Sequence, residues 1–130
     1  MTTLYKVIDT HTDICVSALN LVARKGRDYN RKQQNDGDTL FNMTVAKQLG
    51  IVDTTTQSIL VRISDKMMRL ISLTSNPKEN PEIKTESVKD TVVDMVNYIV
   101  YLYCKYEEER NEWMDSRENT NCSRRYSKRV

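Results

Sequence analysis

The chain has 130 residues, of which 38% are hydrophobic and 29% charged, with a formal charge of +2, three glycines and two prolines. That length fits one domain with a core of its own, and the scarcity of Gly and Pro favours helices over a many-stranded sheet. So small a charge excludes an argument for nucleic-acid or membrane binding from net charge. No apolar run approaches the roughly 18 to 20 residues of a membrane span, and the N-terminus lacks a signal-peptide core, so the expectation is a soluble, cytoplasmic protein with no membrane partner.

From about Val7 to Lys25, apolar residues at Val7, Ile8, Ile14, Cys15, Ala18, Leu21 and Val22 follow helical spacing, with Asp9, Asp13, Ser17, Asn20 and Arg24 opposite. This predicts an amphipathic first helix that ends near Gly26. Asp28 to Asp38 is polar except for Tyr29 and reads as a long loop, the kind that carries function. A short second helix, capped by Asp38 or Thr39, runs through Phe41, Met43 and Ala46 to a stop at Gly50.

Asp53 or Thr54 then caps a third helix reaching Ser72 or Leu73, with an apolar stripe of Ile59, Leu60, Ile63, Met67, Leu70 and Ile71. Arg62, Asp65 and Arg69 fall on the opposite face. Thr74 to Lys84 carries both prolines and reads as a linker, after which Thr85 and Ser87 can cap a fourth helix. Beyond Tyr103 the composition turns charged, so the expected division is an all-α domain over 1–104 and a charged helical extension over 105–130, fraying or disordered beyond Ser116. Arg124, Arg125, Lys128 and Arg129 give that tail a basic end.

Cys15, Cys104 and Cys122 are odd in number and lack metal-ligand spacing, which supports neither a disulfide framework nor a zinc site. Cys15 and Cys104 sit in apolar helical settings and are expected as buried thiols. His11 has no evident partner and reads as a solvated or capping side chain.

The most informative stretch is Glu86 to Tyr103. Val88, Val92, Val93, Met95, Val96, Ile99, Val100 and Leu102 cover most of the helix circumference, which predicts burial on more than one side. Yet Glu86, Asp90, Asp94 and Asn97 recur at spacings of four, four and three, stacking three carboxylates and an amide along one stripe. Like charges four apart repel unless a cation lies between them, so the stripe faces either water or a metal ion. Cleavage of phosphate esters or anhydrides requires a hard divalent cation held by carboxylates, with basic side chains on the phosphates. Asp65 on the third helix, with Lys25, Arg27, Lys66 and Arg69, completes such a set; the competing reading is a pattern of solvated helix-surface ion pairs. No glycine-rich phosphate loop is present, which excludes a Walker or dinucleotide-binding site.

Four segments together resemble a known family: Lys25-Gly-Arg27-Asp28-Tyr29, Leu40-Phe41-Asn42, Ser64-Asp65-Lys66-Met-Met-Arg69-Leu70, and Glu86-Ser-Val-Lys-Asp90-Thr-Val-Val-Asp94-Met-Val-Asn97-Tyr98. Their order over residues 20 to 103 is similar to that of the phage and bacterial nucleotide-modification-associated domain type one, and more distantly to the MazG-like all-α nucleoside-triphosphate pyrophosphatases. The resemblance implies a four-helix MazG-like bundle, oligomeric, around a magnesium-binding acidic cluster, acting in phage nucleotide metabolism or DNA modification inside the host cytoplasm. It implies Mg2+ held by Asp65, Glu86, Asp90 and Asp94, with Asp65, Asp90 and Asp94 catalytic, and a nucleotide contacted by Lys25, Asp28, Tyr29, Asn42, Lys66, Arg69 and Asn97. MazG-like enzymes carry a glutamate pair three apart on the first helix; this first helix has no glutamate, leaving Asp9 and Asp13, or Asp28, as substitutes.

The expected activity is a magnesium-dependent pyrophosphohydrolase of deoxynucleoside triphosphates or a nucleotide-binding relative, working as a homo-oligomer. Two alternatives stand beside it. One is a phage-encoded inhibitor or adaptor that docks on a host protein through the tail with Trp113, Tyr126 and its basic end. The other is a sponge that holds a nucleotide without hydrolysing it.

Overall fold

The computed structural model describes residues 1–32, 40–75 and 81–127, with side chains described for 1–25, 40, 42–75 and 87–120. All regular structure among them is helical: α1 (Leu4–Lys32), α2 (Phe41–Gln48), α3 (Thr55–Thr74) and α4 (Pro81–Ser127). α4 is the axis of the molecule. Its 47 residues span about 70 Å at 1.5 Å per residue. α1 lies along it in parallel, with Asp13 beside Lys89 and Leu21 to Lys25 beside Asp94 to Tyr101. α3 runs antiparallel, since Lys66 meets Asp94 while Thr55 meets Glu109. α2 packs on α3, and among the described residues α1 and α3 do not touch.

The start of α3 is the best-specified junction. The Thr54 hydroxyl accepts the Gln57 N–H at 3.1 Å, and the Gln57 carboxamide returns to the Thr54 N–H at 3.3 Å, a reciprocal capping box. Just upstream, Gly50 takes φ +73°, the left-handed conformation that turns the chain out of α2. Leu40 stands at the head of α2 with no side-chain cap bond, in place of the expected Asp38 or Thr39.

Several boundaries differ from expectation. α1 continues through Gly26 to Lys32, because one glycine costs a helix only about 1 kcal/mol relative to Ala. Asp28 and Tyr29 are therefore helical, and the expected loop beyond Lys32 lies outside the described residues as far as Thr39. α4 begins at Pro81 rather than near Thr85, since proline suits the first helical position, where its missing N–H is not needed. Nor does α4 fray beyond Ser116; it stays helical to Ser127.

The core is thin. Among the described residues the buried hydrophobic side chains are Ala18, Met43, Ile59 and Val93, one from each helix. The expectation that the middle of α4 is buried on more than one side fails, because Ile99 and Val100 are about half exposed. Cys15 and Cys104 are likewise exposed, not buried. His11 finds a partner the sequence did not suggest: its Nδ1 lies 3.6 Å from the Cys15 sulfur one turn on. No helix among the described residues is long and apolar enough to cross a membrane.

Candidate functional site

Because α1 and α3 each lean on α4 without touching one another, a cavity of about 110 Å³ opens between them, closed at one end by α2. α1 contributes Leu21, Val22 and Lys25; Leu40, Asn42 and Met43 form the α2 wall. Arg62 comes from α3, and Asp94, Asn97, Tyr98 and Tyr101 come from α4 at the three- and four-residue spacings of one helix face. Ring centroids of Tyr98 and Tyr101 are 6.1 Å apart, edge to face.

The polar groups of this cavity are unevenly satisfied. Asp94 is held by the Lys66 ammonium at 2.9 Å, with both side chains partly buried. Asn97 is only 8% exposed, but its carboxamide, which makes no hydrogen bond to a described residue, opens onto the cavity, since no buried side-chain polar atom among the described residues lacks a partner. Lys25, Arg62 and Asn42 also have no hydrogen-bond or ion-pair partner among the described residues. Two cations and two amides thus face one opening, with an apolar floor of Leu21, Val22 and Met43.

Of the residues expected to form the site, Lys25, Asn42, Asp94 and Asn97 line the cavity, and Lys66 touches it through Asp94. Asp65, Arg69 and Asp90 are exposed and do not line it. The side chains of Asp28, Tyr29 and Glu86 lie outside the described residues. Among those that are described, no three His, Cys, Asp or Glu side chains gather as a metal cluster. Of the expected carboxylates whose side chains are described, Asp94 alone lines the cavity, and it is paired with Lys66.

Arg62, Tyr98 and Tyr101 belong to the site and were not assigned to it from the sequence. The signal for Arg62 was its position four residues before Lys66, which puts both on the α3 face that looks toward α4. Tyr101 follows Asp94 and Asn97 at the next helical repeats.

A second opening is lined by Thr44, Lys47, Gln48, Thr55, Lys105, Glu108, Glu109 and Glu112. Its groups are largely engaged with one another. Lys105, nearly fully buried, pairs with Glu108 at 2.8 Å, and Glu109 accepts from the first residues of α3.

No family model, curated protein sequence or solved structure matches the chain.

Proposed function

We propose that the chain binds a nucleotide between α1 and α3 and acts as a magnesium-dependent nucleoside-triphosphate pyrophosphohydrolase, or as a binding relative of one. The observation that carries the reading is a cavity that sets the carboxamides of Asn42 and Asn97 beside Lys25 and Arg62. A carboxamide offers a donor and an acceptor side by side, the pattern of a nucleobase edge, and Asn42 offers a second one. Tyr98 and Tyr101 supply ring faces and edges for a base, while Lys25 and Arg62 supply positive charge for phosphates. At about 110 Å³ the cavity falls below the 300 Å³ usual for a whole small-molecule site, so it seats one ring or one phosphate group and leaves the rest of the ligand at the mouth.

Asp94 is the residue that would hold Mg2+, with Asp90 and Glu86 in the preceding turns; the ion would neutralise phosphate charge and activate water. Lys66 compensates the Asp94 charge in its place. The resemblance to MazG-like enzymes supports a deoxynucleoside triphosphate as substrate, a phage setting and a homo-oligomer.

A second reading, an adaptor or inhibitor that docks on a host protein, is favoured by one observation. Trp113 is half exposed on the outer length of α4, with the Arg117 guanidinium 4.5 Å from its ring centroid. The nucleotide sponge shares the cavity and differs only in turnover.

The experiment is a pyrophosphate-release assay against canonical and modified deoxynucleoside triphosphates, with and without Mg2+, beside Asp94→Ala and Asn97→Ala. Metal-dependent release lost in Asp94→Ala supports the enzyme. Binding without release supports the sponge. Neither binding nor release by folded protein sinks the nucleotide reading and moves attention to the outer end of α4.

A further inference from the structure

Asp94 is the one carboxylate among the described residues that lines the cavity, and a cation of its own chain sits on it. The Lys66 ammonium reaches from α3 to α4 and lies 2.9 Å from the Asp94 Oδ2, with the two side chains 23% and 30% exposed. The pair stands in the wall of the cavity, where solvent and salt screen charges less than they do on an open helix surface. Lys66 differs in this from the charges around it. Arg62, Asp65 and Arg69 on α3 are exposed, and so is Asp90 one turn before Asp94.

The oxygens beside that ammonium are those a hard divalent cation uses. Asp94 supplies a carboxylate, and Asn97, three residues on along the same face of α4, brings a carboxamide oxygen to the same cavity. Mg2+ and Mn2+ accept such oxygen donors and keep water in their remaining positions. One carboxylate carries one negative charge, however, and Lys66 already offsets it. A divalent ion arriving at Asp94 meets an ammonium at contact distance, and each occupant makes the other less favourable there.

The lysine is nevertheless able to leave. Its bond to Asp94 is a single one, made by a point charge at the end of a flexible four-carbon stem. A guanidinium engaged through two parallel bonds would be harder to displace.

We infer that Lys66 is a tethered competitor at the cation position of the cavity: its ammonium and a divalent ion exclude one another at Asp94, so the metal affinity of the chain is set by how firmly Lys66 holds that carboxylate. This rests on the reading of Asp94 as the cation position and adds the group that controls it. The role differs from a phosphate contact, the part that the resemblance implies for Lys66, because it concerns the chain before any nucleotide arrives.

The test is a Mn2+ titration of the full chain followed by 1H–15N NMR, reading paramagnetic broadening of the Asn97 and Tyr98 amides, with circular dichroism as the check on folding. No nucleotide is present, so failure of nucleotide binding is a separate result. Lys66→Met and Lys66→Gln both remove the charge and keep most of the stem. Each is expected to reach half-broadening at a Mn2+ concentration at least about tenfold below wild type, the scale on which one neighbouring charge shifts the proton affinity of a carboxylate. Lys66→Arg is expected to exclude Mn2+ at least as well as wild type. Adding Asp94→Asn to Lys66→Met is expected to abolish the selective broadening. Equal Mn2+ requirements for wild type and both neutral variants overturn the inference and leave Asp94 as a cation position. So does a Lys66→Arg chain that gains Mn2+ as the neutral variants do, since charge would then not be the cause. Absence of selective broadening in every chain overturns both the inference and the reading of Asp94 on which it rests.

Discussion

Glu109 on α4 closes the N-terminus of α3. Its Oε1 accepts the Thr55 N–H at 2.6 Å, and its Oε2 accepts the Thr56 hydroxyl at 2.9 Å. α3 has no acidic residue in its first turn, so the negative charge that complements the helix dipole comes from 53 to 54 residues further along the chain. The bond also fixes where α3 sits along α4. Glu109→Ala is expected to cost about 1–2 kcal/mol in urea unfolding, the range of a lost N-cap, and Glu109→Gln less, because the acceptor oxygen survives.

The thinness of the core makes each buried side chain count. Ile59 is 0% exposed, so Ile59→Ala is expected to remove about 2–5 kcal/mol. Ile8 is half exposed on α1, and Ile8→Ala is expected to stay within about 0.5 kcal/mol. Equal losses in denaturant melts would mean that the burial described for α3 is wrong.

How far the site was legible turns on a rotation of one residue. Expecting the Asp65 side of α3 to meet the acidic stripe of α4 was right about the helices and wrong about the face: Lys66 makes the contact with Asp94, and Asp65 stands about 100° away, exposed. Leu60, Val61, Met67, Met68 and Ile71 are exposed on the outer half of α3, so hydrophobic periodicity could not say which half faced inward; Arg62, on the Asp65 face of the pattern, had no local signal of its own to separate it from a solvated surface cation. Local chemistry read better. Thr54 with Gln57, and Gly50 after α2, carry their structural meaning in short sequence windows. Pro81 has two such meanings, breaker and first helical residue, and only its context chooses between them. The exposure of Cys104, Ile99 and Val100 was illegible for a different reason: apolar spacing reveals that a face prefers to be covered, not whether this chain covers it.

Arg62 is exposed at the cavity mouth and makes no ion pair with a described residue. Under the nucleotide reading, Arg62→Ala is expected to weaken triphosphate binding by about ten- to a hundredfold, the worth of one or two charge-assisted hydrogen bonds. Binding of the parent nucleoside is expected to change little. Isothermal titration with the two ligands separates the outcomes, and equal weakening of both would assign Arg62 to the base rather than to phosphate.

Tyr103 donates its hydroxyl to Glu107 at 2.8 Å; that bond, with the charge of the same carboxylate, raises the phenol above its ordinary value of 10.0. The folded chain therefore favours the neutral phenol. Its contribution to stability is complete below about pH 10 and is lost as pH climbs through the raised value. An alkaline absorbance titration, taken as the difference between wild type and Tyr103→Phe, isolates this group. Glu107→Ala is expected to move the midpoint down; an unchanged midpoint would mean that the pair is not formed in solution.

Two walls of the cavity belong to α1 and α3, which among the described residues do not touch each other. A molecule lodged between Lys25 and Arg62 would act as a clasp, adding a direct link between them. Whatever binds there binds the closed arrangement better than one in which α1 has swung off α4, so occupancy stabilises docking of α1 by mass action. Amide hydrogens along α1 would then exchange more slowly when ligand is present, while those at the Glu109 junction of α3, fastened independently, would keep their rates.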